Sequence, residues 1–199
     1  FTNQAGTEDL IYAATSVTTS ADINDQPEPV KFQFSHLLSK VKFTFENGFY
    51  NDNNTVVVKN IKMVVPQTAN IDLTQNTYAW TGHEGATTLD MGHMANGANL
   101  AMAQSASSDN ERLTIPAGTT QEYTVTFDVE LWMGEVLATT SSKTIKISGV
   151  ELLPGRAYNF KAEINIQNVD ENPLFEIEFE VEVNEWVNAG DVALEVANV

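Results

Sequence analysis

His83, Glu84, Asp90 and His93 are the residues best equipped for chemistry in this 199-residue chain. Two imidazoles and two carboxylates in one short stretch form a plausible metal-donor set. They would meet around an ion only if the chain folded back on itself, because their spacing matches no helix-borne pair such as HExxH. Gly82, Gly85 and Gly92 interrupt the same stretch. The expectation is therefore an exposed, loop-like excursion over 82–111 with short strands, and no metal site is assigned. Thiol chemistry is excluded, since the chain has no cysteine for a nucleophile, a zinc site or a disulfide. There is no GxSxG elbow and no phosphate loop, and no Ser, His and Asp stand out as a triad. Nothing selects a catalytic pair among the 27 acidic residues. No catalytic residue and no cofactor site follow, and a non-enzymatic chain is expected.

Charge narrows the partners. Against 27 acidic residues stand 10 basic ones, for a net charge of −17 and a pI near 4.3. Such a surface repels nucleic-acid phosphates and anionic membranes. No run of about 18 apolar residues exists to span a bilayer. The chain opens on Phe1 rather than Met, which reads as a processed or trimmed chain.

The elements that must carry any site alternate with period two. TVVVKNIKMVV (55–65), EYTVTFDVELWM (122–133), KTIKISGV (143–150), AYNFKAEINI (157–166) and FEIEFEVEVNEW (175–186) are rich in Val, Ile, Thr, Phe and Tyr. Turn formers separate them, among them Pro116-Ala117-Gly118, Pro154-Gly155 and Asp170-Glu171-Asn172-Pro173. No helical-length window has a 3.6 period. The pattern predicts an all-β antiparallel sandwich with few or no helices. LIYAATSV (10–17) reads as one strand followed by an acidic connector. The expected organisation is an N-terminal strand and connector over 1–29, a possible remnant of a preceding domain, and a sandwich domain over 30–199.

Three local patterns matter for function. In FQFSHLLSKVKFTF (32–45), Phe32 and Phe34 alternate on even positions, whereas Val41, Phe43 and Phe45 alternate on odd ones. One flat strand cannot do both, so residues 36–40 must bend or re-register the chain. His36 follows Phe34 on the inward parity and reads as a structural histidine. Near the end, Glu176, Glu178, Glu180 and Glu182 line one face of a strand, opposite an apolar ridge of Phe175, Ile177, Phe179, Val181 and Val183. The ridge fits a terminal strand with one core face and a charge-guarded edge. The sharper reading is a strand donated to a neighbouring molecule, although the pattern alone favours the first. Tyr78, Trp80 and Trp132 are candidates for a sugar-stacking platform, although Trp132 lies among Val129 and Leu131 and its face is ambiguous.

FQFSHLLSKVKFTF is similar to the signature of the fimbrillin family, the type V pilins and pilin-like proteins of Bacteroides-type bacteria, written F-x-H-x-L-S-K-[VI]-x-F-x-[VI]. Phe34, His36, Leu38, Ser39, Lys40, Val41 and Phe43 occupy its places. Three further motifs agree in order: Asp9, Leu10, Tyr12 and Ala13 upstream; a Leu-x-Pro-Gly-x-x-Tyr turn at Leu152, Pro154, Gly155 and Tyr158; and a closing I-x-F-x-V-x-V-x-x-W from Ile177 to Trp186. The resemblance implies a transthyretin-like, Greek-key sandwich, exported as a lipoprotein precursor to the outer membrane. It implies proteolytic removal of an N-terminal segment and polymerisation by insertion of a neighbour's C-terminal strand. The donated element would be the 175–187 ridge, including Trp186, or the strand Asp191-Val192-Ala193-Leu194-Glu195-Val196. The chain would then be a structural or adhesive subunit of cell-surface fimbriae. Its partners would be like or unlike subunits and a host or bacterial surface receptor or glycan. The alternative is a carbohydrate-binding module of an outer-membrane lipoprotein. Family members usually carry two sandwich domains and a lipidated cysteine near the precursor's start. This chain has no cysteine, and it resembles the C-terminal domain.

Overall fold

The computed structural model describes residues 1–15, 32–74, 78–94, 99–169 and 176–186. The boundary near Val30, the turn at 170–173, Phe175 and the 191–196 strand lie outside them. The period-two segments are strands. They are β1 (Ile11–Tyr12), β2 (Ser35–His36), β3 (Ser39–Asn47), β4 (Asn54–Ile71), β5 (Trp80–Gly92), β6 (Ser105–Ser107), β7 (Arg112–Thr114), β8 (Tyr123–Met133), β9 (Val136–Ile147), β10 (Arg156–Ile164) and β11 (Glu180–Glu185). No helix occurs among the described residues.

Two sheets form an all-β sandwich. The first runs β11-β10-β3-β6, with β7 sharing the β6 side of β3, and the second runs β5-β4-β8-β9. Alternation decides which faces meet. On β3, Val41, Phe43 and Phe45 are fully buried while Lys40, Lys42 and Thr44 face outward. On β8, Tyr123, Val125, Phe127, Val129 and Leu131 are buried in strict alternation. Phe45 of the first sheet meets Phe127 of the second at 4.9 Å between ring centroids. Every ladder is antiparallel except β3 with β10, whose parallel register sets Phe160 beside Phe43 and Tyr158 beside Val41. Parallel neighbours need a crossover, and here the crossover is the entire second sheet together with β6 and β7.

Parity slips occur twice. On β4, Val56 and Val58 are buried on even positions and Ile61, Met63 and Val65 on odd ones. The switch is a bulge opposite β8 between Lys59 and Lys62, where Asn60 has φ of 54°. The second slip is at residues 36–40. β2 pairs with β1 in a separate two-stranded sheet, the adjacent Leu37 and Leu38 are both buried, and β3 then enters the first sheet. Phe32 and Phe34 are each 58% exposed, so their alternation marks one face of the chain that no element among the described residues covers.

The stretch expected to be loop-like is different. Gly82-His83-Glu84-Gly85 lies inside β5, paired to β4. Gly82 and Gly85 take φ of 62° and 65°, beside a register shift between Thr68 and Asn70. The glycines serve an irregular strand, not a loop.

A second, smaller core gathers Leu38, Ala69, Leu113 and Ile115, with Phe1, Leu10, Trp80 and Trp186 packed on it. The distal half of β4 and the start of β5 extend past β8 to cover it. Residues 1–3 lie against that extension, through Asn3 N donating to Gln67 O at 2.7 Å and Ala69 N donating to Phe1 O at 3.2 Å.

Candidate functional site

Segment 36–40 is where separate parts of the chain converge. Leu37 N donates to Leu10 O at 2.9 Å, and His36 Nδ1 lies 2.7 Å from Asp9 Oδ2, so Asp9 and Leu10 are tied down here. Trp80 Nε1 donates to Leu37 O at 2.9 Å. The Ser39 hydroxyl, fully buried, donates to Leu153 O at 2.8 Å. Gly155 N donates to Leu38 O at 2.9 Å, and Trp186 N donates to Gly155 O at 3.0 Å. Gly155 has φ of 66°, and an added Cβ would lie 3.4 Å from His36 O, so this turn favours glycine. Tyr158 Oη accepts from Leu153 N at 2.7 Å. Burial raises the pKa of that phenol, consistent with its neutral, hydrogen-bonded role.

Trp186 closes the arrangement. The imidazole of His36 stacks on its indole, and Lys40 Nζ lies 5.4 Å from the ring centroid. Lys40 also pairs with Glu111 at 2.9 Å, a partner that sequence spacing could not reveal. Thus His36, Leu38, Ser39 and Lys40 clamp the turn at 152–158 and the end of β11. Phe34, on the same signature, is outside this clamp and faces solvent.

Along residues 176–183 apolar and acidic positions alternate, with a gradient of burial. Ile177 is buried, Phe179 and Val181 are half-buried, and Val183 is exposed. Phe179 sits at 5.5 to 6.5 Å from Phe43, Phe45, Phe127 and Phe160, inside the chain's own main core. Glu176, Glu178, Glu180 and Glu182 are exposed. Hydrogen bonding to Lys161, at 2.6 Å, holds the Glu182 carboxyl below its usual range. β11 pairs with β10 and is the edge strand of the first sheet.

The other sequence candidates are dispersed. His83 Nε2 meets Pro116 O at 2.8 Å. His93, beyond the other end of β5, accepts from Asn60 N at 3.2 Å. Asp90 bonds the Gly92 N–H at 2.9 Å. No metal-ligating group of three acidic or imidazole side chains occurs among the described residues. The aromatics turn to different partners: Trp80 packs edge-on to Phe1, Tyr78 to Tyr12, and Trp132 Nε1 donates to Glu130.

Comparison with known proteins follows the same motifs. No curated protein matches the chain in sequence. Among solved structures, a fimbrial protein from Bacteroides vulgatus is similar at 15% identity and a TM-score of 0.48, over 78% of this chain and 56% of that one. A candidate cell adhesion protein from Bacteroides ovatus is similar at 20% identity and a TM-score of 0.44, over 81% of this chain and 50% of that one. The chain therefore spans about half the length of these proteins. The fimbrillin-like family profile matches residues 2–186, from the N-terminal segment clamped by His36 to the indole that His36 stacks on, and the chain belongs to that family.

Proposed function

We propose that the chain is a structural and adhesive subunit of cell-surface fimbriae, associated with the outer membrane and assembled with other subunits by β-strand donation. On this reading the subunit is non-enzymatic, as its family membership suggests. Membership of the fimbrillin-like family over residues 2–186 carries the reading. Among the described residues, no helix is long and apolar enough to cross a membrane.

Between the two donor segments, the geometry favours the one after Trp186. Ile177 and Phe179 fill the chain's own core and β11 completes its own sheet, so residues 176–186 act as an anchor. The donated strand is then Asp191 to Val196, whose alternating Val192, Leu194 and Val196 suit an acceptor groove. The full chain and a chain lacking 187–199 are compared by size-exclusion chromatography and electron microscopy. Filaments are expected from the full chain only, with equal melting temperatures. Filaments from the shortened chain would overturn the donor assignment.

A further inference from the structure

Asn47 ends β3 inside the protein, and the residue after it is glycine. Its side chain is completely buried, with both donors and the acceptor engaged. Nδ2 donates to Asn54 O at 2.9 Å and to Leu100 O at 2.8 Å. Oδ1 accepts from Phe49 N at 2.9 Å. A single carboxamide thereby joins the end of β3, the start of β4 and the bridge between Val56 and Leu100. The main chain is held as firmly. Asn47 N donates to Gln104 O, and Gly48 N donates to Ile164 O, each at 2.9 Å. A Cβ on Gly48 would run into the Glu163 side chain of β10, so this close approach favours glycine.

Asparagine followed by glycine carries a reaction of its own. The glycine nitrogen attacks Cγ of the carboxamide and closes a cyclic imide. It gives up its proton, and the amide nitrogen departs as ammonia. Water then opens the ring at either carbonyl and leaves an aspartyl or an isoaspartyl residue. Glycine speeds the attack because no side chain shields its nitrogen and its backbone turns freely into the cyclising geometry. In the folded protein neither partner is available. Cγ is fixed through both ends of its carboxamide, and the attacking N–H is committed to Ile164 O. Both sets of bonds must open before the ring can close. The product, in turn, does not fit. A carboxylate has no proton to offer Asn54 O or Leu100 O, and it would be an uncompensated charge in a buried site. The isoaspartyl form also lengthens the main chain where β3 gives way to the connection toward β4.

We infer that Asn47-Gly48 is a deamidation site gated by folding: inert in the folded chain, reactive in an unfolded one and, once modified, a bar to refolding. Each excursion to the unfolded state carries this chemical hazard, and chains that linger there leave the pool able to fold. The inference is independent of the fimbrial reading. Asn96-Gly97 is the same dipeptide elsewhere in the sequence, and it supplies an internal reference.

The full chain is incubated at mildly alkaline pH with and without guanidinium, and peptide mapping by mass spectrometry follows positions 47 and 96 separately. Position 47 should gain aspartyl and isoaspartyl products roughly tenfold faster, or more, in denaturant than in native buffer. Equal rates would overturn the gating. Gly48→Ala is measured in denaturant, where its ability to fold does not matter. It should slow the reaction at position 47 about tenfold and leave position 96 unchanged. An unslowed reaction would show that Gly48 N is not the attacking atom. The denatured mixture is then refolded and its folded fraction collected by size-exclusion chromatography. Chains modified at position 47 should be depleted from that fraction about tenfold relative to the mixture. Their undiminished presence there would overturn the bar to refolding.

Discussion

The imidazole of His36 lies flat on the indole of Trp186, with ring centroids 3.7 Å apart and 11° between the planes. The pair joins the first signature motif to the last. Replacing either ring by Ala should cost stability, about 2 to 3 kcal/mol for half-buried Trp186. A double-mutant cycle in urea should give a coupling of about 1 kcal/mol between them. A coupling indistinguishable from zero would show the stack to be incidental.

Phe179 and Val183 share the ridge but not the environment. Phe179 touches four core phenyl rings, whereas Val183 is half exposed. Phe179→Ala should destabilise the chain by about 3 to 4 kcal/mol, and Phe179→Asp should prevent folding. Val183→Asp should cost less than about 1 kcal/mol. Circular dichroism melts decide; a folded, equally stable Phe179→Asp protein would mean that the ridge is not core.

Acid unfolding should report on Asp128. Asn60 Nδ2 at 2.7 Å and the Ser142 hydroxyl at 2.6 Å bond its carboxylate and hold its pKa below the usual range. A lowered folded pKa contributes stability above the unfolded value near 3.9, lost as pH falls through the folded one. Asp128→Asn should therefore flatten the loss of stability below about pH 4. At neutral pH it should cost less than about 1 kcal/mol, because solvent screens this site. An unchanged acid limb would count against the bulge as its source.

Alkaline unfolding should report on Tyr123. Its phenol is fully buried, has no hydrogen-bond partner among the described residues, and is pushed up in pKa by burial and then by Tyr158. A raised folded pKa contributes stability below the unfolded value near 10, lost as pH climbs past it. Tyr123→Phe should remove that loss and, by deleting an unpaired hydroxyl, raise stability by about 1 kcal/mol. Ultraviolet titration of the phenolates alongside urea melts checks both; a destabilised variant would reveal a partner for the hydroxyl.

Much of this architecture was legible because alternation reports directly on faces. The burial of Val41, Phe43 and Phe45, the wet stripe of Glu176 to Glu182 and the four ordered motifs could all be read from the chain. Alternation does not say what covers a face, so Phe32 and Phe34 looked like core and are exposed. Glycine has two uses in β structure, and at Gly82 and Gly85 the composition of a loop concealed an irregular strand. The parallel register of β3 and β10, the Glu111 partner of Lys40 and the stacking of His36 on Trp186 are long-range pairings. Nothing local encodes them, so the clamp's individual residues were legible and their meeting was not.

The parallel pairing of β3 with β10 also sets a timetable. β3 is complete by Asn47, but its inner neighbour starts at Arg156 and the indole that secures the edge is residue 186. A nascent chain can therefore pair β3 with β6 and β7 on one side, while the other side waits for β10. Such non-local pairing places folding in the millisecond-to-second regime. A chain short of Trp186 holds the Ser39, Gly155 and Trp80 bonds of the clamp but lacks the indole on which His36 stacks. Completion of β11 is thus the event that covers the open side of β10 and seats the ring stack between His36 and Trp186.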